Sequence, residues 1–172
     1  TLDGDNDHIS LQSFQFGGTF SFEMYFKINS YSMWDRLLQV YRSDGDHDGF
    51  NFASYHTSGN YAIECLENNG GSHQMTNSTV STGVWTHVVC TINGTSGKFY
   101  QNGTLVNSFT ASAVVPNVVR PTIYLGMKNL LNGVPQHTPQ VDIKNFRYWH
   151  GTELLSSDVL NLYQYREIPN LS

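Results

Sequence analysis

Charge is scarce in this sequence. Of 172 residues only 13% are Asp, Glu, Lys or Arg, the 9 basic residues never cluster, and the formal net charge is −5. Such a chain has no electrostatic footprint for a phosphate backbone, so nucleic acid is excluded as a partner. Long apolar runs are absent too: nothing approaches the roughly 18 residues of a membrane span, which excludes membrane insertion by a helix. The opening "TLDGDNDHISL" lacks the basic start and apolar segment of a secretory leader. Because the chain begins almost inside its first apparent strand, we expect a single domain, residues 1–172, excised from a larger protein. There are only 2 cysteines, with no C-x-x-C pair, and the 7 histidines show no paired spacing, which argues against zinc. No carboxylate side chain occurs from Asn68 to Gln140.

What is present is aromatic and β-forming. Phe, Tyr and Trp make up 13% of the chain. In "TFSFEMYFKI" the residues Phe20, Phe22, Met24, Phe26 and Ile28 alternate with Ser21, Glu23, Tyr25 and Lys27, the period of a strand with one buried and one wet face. Similar runs are "RLLQVY", "GFNFASY", "YAIECLE", "VWTHVVCTI", "GKFYQNGTLVNSFT", "TIYLG" and "VDIKNFRYW", separated by turn-forming stretches. Asn102-Gly103 is a two-residue hairpin signal, since both residues tolerate positive φ. Near the end, Val159, Leu160, Leu162 and Tyr163 share a helical face behind a Ser/Asp cap. The pattern predicts an all-β fold, a two-sheet antiparallel sandwich or jelly roll with one short C-terminal helix.

The motifs resemble a known family. "LDGDNDHISL", "TFSFEMYFKI", "GVWTHVVCTINGTSGKFYQNGTLV", "YLG" and "IKNFRYWHGTELLSSDVLNLY" are similar, in order, to the framework strands of laminin-G-like, concanavalin A-like lectin and glucanase jelly rolls. The resemblance implies binding of glycans or protein surfaces, often beside calcium, with a few relatives that are glucanases. A pentraxin-type double calcium site is not expected, because "MKNLLNGVPQHTPQ" after "YLG" has no acid. A glucanase places a nucleophile and an acid about 5 Å apart on one strand. Here the alternating acids sit among Gly, Asn and His in turn-like sequence, so the expected protein is not an enzyme.

Two aspartate sets are candidates for calcium. Because the family's first strand lies beside its last, Asp3 and Asp7 are expected to meet Asp142 and Asn145 and share a cation. The alternative is "SDGDHDG", where Asp44, Asp46 and Asp48 match the first half of an EF-hand loop; position twelve falls on Tyr55 instead of Glu. Either set also reads as plain turn chemistry. His87, two residues after Trp85, reads as a framework residue. Cys65 and Cys90 stand in strands read as neighbours, where they form either a disulfide or two buried thiols. The sequons at Asn77, Asn93, Asn102 and Asn170 fit an extracellular or cell-surface address.

Sugar recognition needs aromatics for pyranose faces and amides or carboxylates for hydroxyls. The candidates are Tyr31, Trp34 and Asp35; Tyr55, His56 and Asn60; and Asn129, Asn132 and His137 in the long loop from Met127 to Gln140. The expected function is a non-catalytic carbohydrate-binding or adhesion module, calcium-supported, with a glycan or glycoprotein as partner. A protein-interaction or structural jelly roll without sugar affinity is the first alternative, and an atypical glycoside hydrolase the second.

Overall fold

A computed structural model describes residues 1–30, 32, 34–41, 49–55, 60–67, 70–128, 130–131, 134–135 and 137–165; for residues 55, 60–67, 70–78, 130–131 and 134–135 it gives the backbone path. In chain order the strands are β1 (Leu2–Asp3), β2 (Ile9–Ser10), β3 (Phe14–Phe16), β4 (Phe20–Ser30), β5 (Arg36–Tyr41), β6 (Gly49–Tyr55), β7 (Asn60–Glu67), β8 (Gly70–Thr79), β9 (Trp85–Asn93), β10 (Ser96–Gln101), β11 (Thr104–Thr110), β12 (Val118–Arg120), β13 (Thr122–Leu125), β14 (Leu130–Leu131), β15 (Val134–Pro135) and β16 (Gln140–His150), followed by helix α1 (Ser156–Gln164). They form two six-stranded antiparallel sheets, β1-β16-β4-β9-β10-β11 and β2-β13-β5-β6-β7-β8, with the small ribbons β3–β12 and β14–β15. This is a jelly-roll sandwich, as the sequence pattern predicts.

The alternation in β4 sets the core. Phe20, Phe22, Met24, Phe26 and Ile28 are all buried and face Leu38, Val40, Phe50 and Phe52 of the second sheet. Phe20 meets Phe50 edge to face, with ring centroids 5.4 Å apart, and Phe22 packs on Phe52 at 5.8 Å. Each such ring contributes roughly 1.5–3 kcal/mol by leaving water. Tight turns bring the strands back: at the β10–β11 turn Asn102 and Gly103 have φ of 50° and 79°, the left-handed pair expected from "QNG".

The other face of β4 is not wet. Ser21, Glu23 and Tyr25 are buried as well, because the segment after β16 and α1 fold over the first sheet. The Ser21 hydroxyl donates to the Thr152 carbonyl and accepts from the Leu154 amide. Val159 of α1 packs with Val89, Tyr100 and Leu154. The helix starts one residue earlier than a cap at Ser156 would give. Leu155 is the N-cap, and its amide donates to the carboxylate of Asp158. Beneath the helix His87 is fully buried, its Nε2 2.9 Å from Oε1 of Glu23, which Arg147 also grips. The structural reading of His87 therefore holds.

Cys90 is buried on β9 of the first sheet, whereas Cys65 stands on β7 of the second. The two strands are thus not neighbours, contrary to the sequence expectation. Among the described residues no helix is long and apolar enough to cross a membrane.

Candidate functional site at the sandwich rim

The start of β5, the end of β4 and the start of β16 meet the first turn of the chain at one rim of the sandwich. There a polar cavity of about 170 Å³ is lined by Asp3, Gly4, Ser30, Ser32, Asp35, Thr138 and Gln140. The register explains the meeting: Asp3 pairs with Gln140, and Gln140 with Ser30, so three strands deliver polar residues to one place. Thr138 anchors the first turn by donating its hydroxyl to the Gly4 carbonyl at 2.8 Å.

Asp35 is the buried acid of the cavity, only 5% exposed. Its Oδ2 accepts the Ser32 amide at 2.5 Å. Burial pushes its carboxyl above the ordinary carboxylate value, against the opposing pull of the Ser32 amide and the Arg36 guanidinium. Asp3 is exposed, and its Oδ1 accepts the Asp5 amide at 2.9 Å. The backbone around the cavity is unusual. Trp34 and His137 have φ of 70° and 51°, a region that bulky residues rarely occupy and that concentrates at functional sites. The two segments are tied together, since the Arg36 amide donates to the His137 carbonyl and the Trp34 amide to the Ser54 carbonyl, both at 3.0 Å. The Arg36 guanidinium lies 5.4 Å from the half-buried Trp34 ring and donates to the Trp34 carbonyl.

Several sequence candidates thus converge: Asp3 and Asp35 line the cavity, and Trp34 and His137 flank it. The four-residue cation set does not assemble as expected. Asp7 accepts the Asp3 amide at 3.3 Å within the first turn. Asp142 is held by the Lys27 ammonium at 2.8 Å together with Thr1 and Asn29, and these partners lower its carboxyl well below the usual range. Asn145 sits beyond a β-bulge, opposite Tyr25. The physical reason is local: Lys27 is the direct cross-strand partner of Asp142 and neutralises it. Among the described residues no group of three or more His, Cys, Asp or Glu could hold a metal. The cavity itself offers only oxygen donors besides the Gln140 amide nitrogen, and two of them come from carboxylates, a set that suits calcium better than zinc or copper.

Tyr55 and Asn60 are backbone partners at the β6–β7 turn. Tyr31, Asp44, Asp46, Asp48, His56, Asn129 and Asn132 lie outside the described residues. Ser30, Ser32, Thr138 and Gln140 escaped the sequence reading. Single hydroxyls and amides carry no pattern, and only the pairing of β4 with β16 gathers them.

The sequence pattern of the concanavalin A-like lectin/glucanases superfamily matches residues 3–159. Domain 4 of AbnA, a GH43 extracellular arabinanase from Geobacillus stearothermophilus solved with arabinotriose, superposes with a TM-score of 0.72 at 18% identity, over 95% of this chain and 75% of that one. The CBM40 of the Ruminococcus gnavus IT-sialidase, solved with α2,3-sialyllactose, gives 0.70 at 13% identity, over 92% and 97%. The native heptameric SAP-like pentraxin of Limulus polyphemus gives 0.70 at 12% identity, over 95% and 78%. No curated protein sequence matches the chain. Over nearly its whole length, then, this chain belongs to the concanavalin A-like lectin/glucanases superfamily.

Proposed function

We propose that the domain is a non-catalytic carbohydrate-binding module of an extracellular or cell-surface protein, with calcium supporting its rim site and a glycan or glycoprotein as partner. The observation that carries this reading is the cavity of Asp3, Asp35, Ser30, Ser32, Thr138 and Gln140, framed by the left-handed Trp34 and His137. Hydroxyls, amides and carboxylates in a shallow polar recess match the hydroxyls of a sugar, and the half-buried Trp34 supplies an apolar surface beside them. Calcium in the recess would be held by the carboxylates of Asp3 and Asp35 with the neighbouring hydroxyls and the Gln140 carbonyl oxygen. Two folds similar to this one were solved with oligosaccharides, which agrees with the reading.

A second reading, an atypical glycoside hydrolase, has one observation in its favour. Two carboxylates share the cavity, and burial raises one of them, the asymmetry a general acid requires. The cavity's size favours the first reading: at about 170 Å³ it falls below the roughly 300–1,000 Å³ of pockets that enclose a small-molecule ligand, and so below what two sugar rings flanking a scissile bond need.

A glycan array probed with the purified domain, with calcium and with chelator, tests the proposal. Binding that Asp35→Asn weakens at least ~10-fold supports the rim site. Loss of binding in chelator supports calcium. An array silent under both conditions overturns the carbohydrate reading in favour of a protein-interaction module. Release of reducing ends from the bound glycan, abolished in Asp35→Asn, would replace the module by the hydrolase.

A further inference from the structure

β16 has β4 beside it along its whole length, but β1 only at its start. Leu2 pairs with Val141 and Asp3 with Gln140, and the Thr1 hydroxyl reaches Asp142. Beyond Asp142, β16 is the edge of the first sheet among the described residues. From Asn145, opposite Tyr25, to His150, opposite Phe20, its register with β4 is regular. The Gly151 amide donates to the Thr19 carbonyl at 2.8 Å, which fixes the parity of the ladder. Bonded positions alternate in an antiparallel pair, so Asn145, Arg147 and Trp149 bond to β4, while the amides and carbonyls of Phe146, Tyr148 and His150 point away from it. Among the described residues no strand receives them. Sheet edges are usually blunted by proline, an inward-pointing charge or a bulge. The stretch "NFRYWH" has no proline, its Arg147 lies on the face away from the core with Glu23, and the bulge of β16 comes before Asn145.

A cavity of about 500 Å³ opens beside this edge, where the two sheets part. Leu11 and Gln12 line it from the segment leaving β2, Phe14 from β3, and Phe146 and Tyr148 from the core-side face of β16. Its walls are apolar or aromatic except for the exposed Gln12. The volume falls within the roughly 300–1,000 Å³ of pockets that hold a ligand. The two residues of β16 that line the recess are also two whose backbone groups point outward. An unpaired hydrogen-bonding edge and an apolar recess therefore lie in register.

We propose that the edge of β16 from Phe146 to His150 docks an extended peptide of a partner protein, which joins the first sheet as a further strand and lays two apolar side chains in the recess. In a strand, residues i and i+2 share one face about 6.6–6.8 Å apart, and here that face looks onto the recess. The residue between them faces the other way, beside Arg147 and Trp149. Arg147 keeps 46% of its side chain exposed although it pairs with Glu23, and Lys144 on the same strand is exposed too. An acidic side chain suits that middle position. The partner's pattern is thus apolar, acidic, apolar. A second copy of this chain fits poorly: its β16 edge would offer the recess only Phe146 and Tyr148, which already pack on its own core. The surface is separate from the rim cavity, and the inference does not depend on the carbohydrate-binding reading.

Amide hydrogen exchange followed by NMR tests the free domain first. An open edge predicts that the amides of Phe146 and Tyr148 exchange at least ~10-fold faster than those of Arg147 and Trp149, in dilute and concentrated protein alike. Protection at every concentration would mean that the chain covers its own edge, and protection that grows with concentration would mean that a second copy does; either overturns the proposal. A random heptapeptide library displayed on phage is then selected on the intact domain. The expected binders carry the apolar, acidic, apolar pattern, and as synthetic peptides they slow the Phe146 and Tyr148 amides at least ~10-fold while leaving Arg147 unchanged. Gln12→Trp, which fills the mouth of the recess from an exposed position, should weaken those peptides at least ~10-fold without lowering the melting temperature. A library that yields no binder, binders that leave the two amides exchanging as before, or binding undiminished in Gln12→Trp overturns the proposal.

Discussion

At the scale of single residues, the two aspartates that matter most here respond to pH with opposite sign. Asp35 is raised by burial, so between the ordinary carboxylate value and its own raised one the folded state holds more protons than the unfolded chain. Its contribution to stability therefore falls as pH rises through that window and is unfavourable above it. Asp142, lowered by Lys27, Thr1 and Asn29, contributes stability that is present above the ordinary value and lost as pH falls through its own. Asp35→Asn keeps an oxygen for the Ser32 amide and removes the charge. The variant should melt higher than the wild type at neutral pH, and the gap should close toward about pH 4. Thermal melts across that range measure it, and a gap that widened on acidification would contradict the assigned cause. Gln39 and Asp35 share a lesson at this scale. Each is a buried polar group, Asp35 immediately before β5 and Gln39 on it with no hydrogen-bond partner for its amide among the described residues, that costs stability where it stands, the expected signature of residues kept for something other than folding.

At the scale of elements, the hairpin and the helix support one another. Gly103 has φ of 79°, and an added Cβ would come within 3.0–3.2 Å of the Tyr163 ring of α1. Tyr163 in turn lies 5.7 Å from the buried His87 ring, and the Asn102 side chain accepts the His87 amide. Gly103→Ala should therefore destabilise by more than the roughly 1 kcal/mol that positive φ alone costs a residue with a Cβ. Chemical denaturation would show this, and a smaller change would mean that α1 shifts freely on the sheet. The hairpin was legible because Asn-Gly encodes its own backbone geometry, and β4 because its apolar residues alternate. β8 was not: "GGSHQMTNST" has almost no apolar residue, and its place is set by backbone pairing with β7. The burial of Glu23 was illegible for a related reason. Nothing within β4 reveals that a helix more than a hundred residues later will cover its polar face.

At the scale of the whole molecule, the strand order explains both why the site forms and why its residues were only partly readable. The sequence motifs identify the sandwich, and Asp3, Trp34, Asp35 and His137 stand out by residue type. Their convergence depends on β16 returning from the far end of the chain to lie between β1 and β4. That same pairing gave Asp142 to Lys27, a cross-strand neighbour that no motif discloses. β16 is also structural, because Val141 belongs to the core and Ile143, Phe146 and Tyr148 pack against it. Tyr148 stacks on Phe16 at 4.6 Å, and burial pushes its hydroxyl up to about 12. A chain stopped after Pro139 loses one of the two strands that pair with β4, the anchor of β1 and one side of the rim cavity at once. Such non-local pairings form late and cooperatively. The truncated chain should show no sharp thermal transition and no near-ultraviolet circular dichroism, whereas the full chain melts in one step. If it kept a sharp transition, the second sheet would be folding without its partner, and the rim site would then be an addition to the fold instead of a consequence of it.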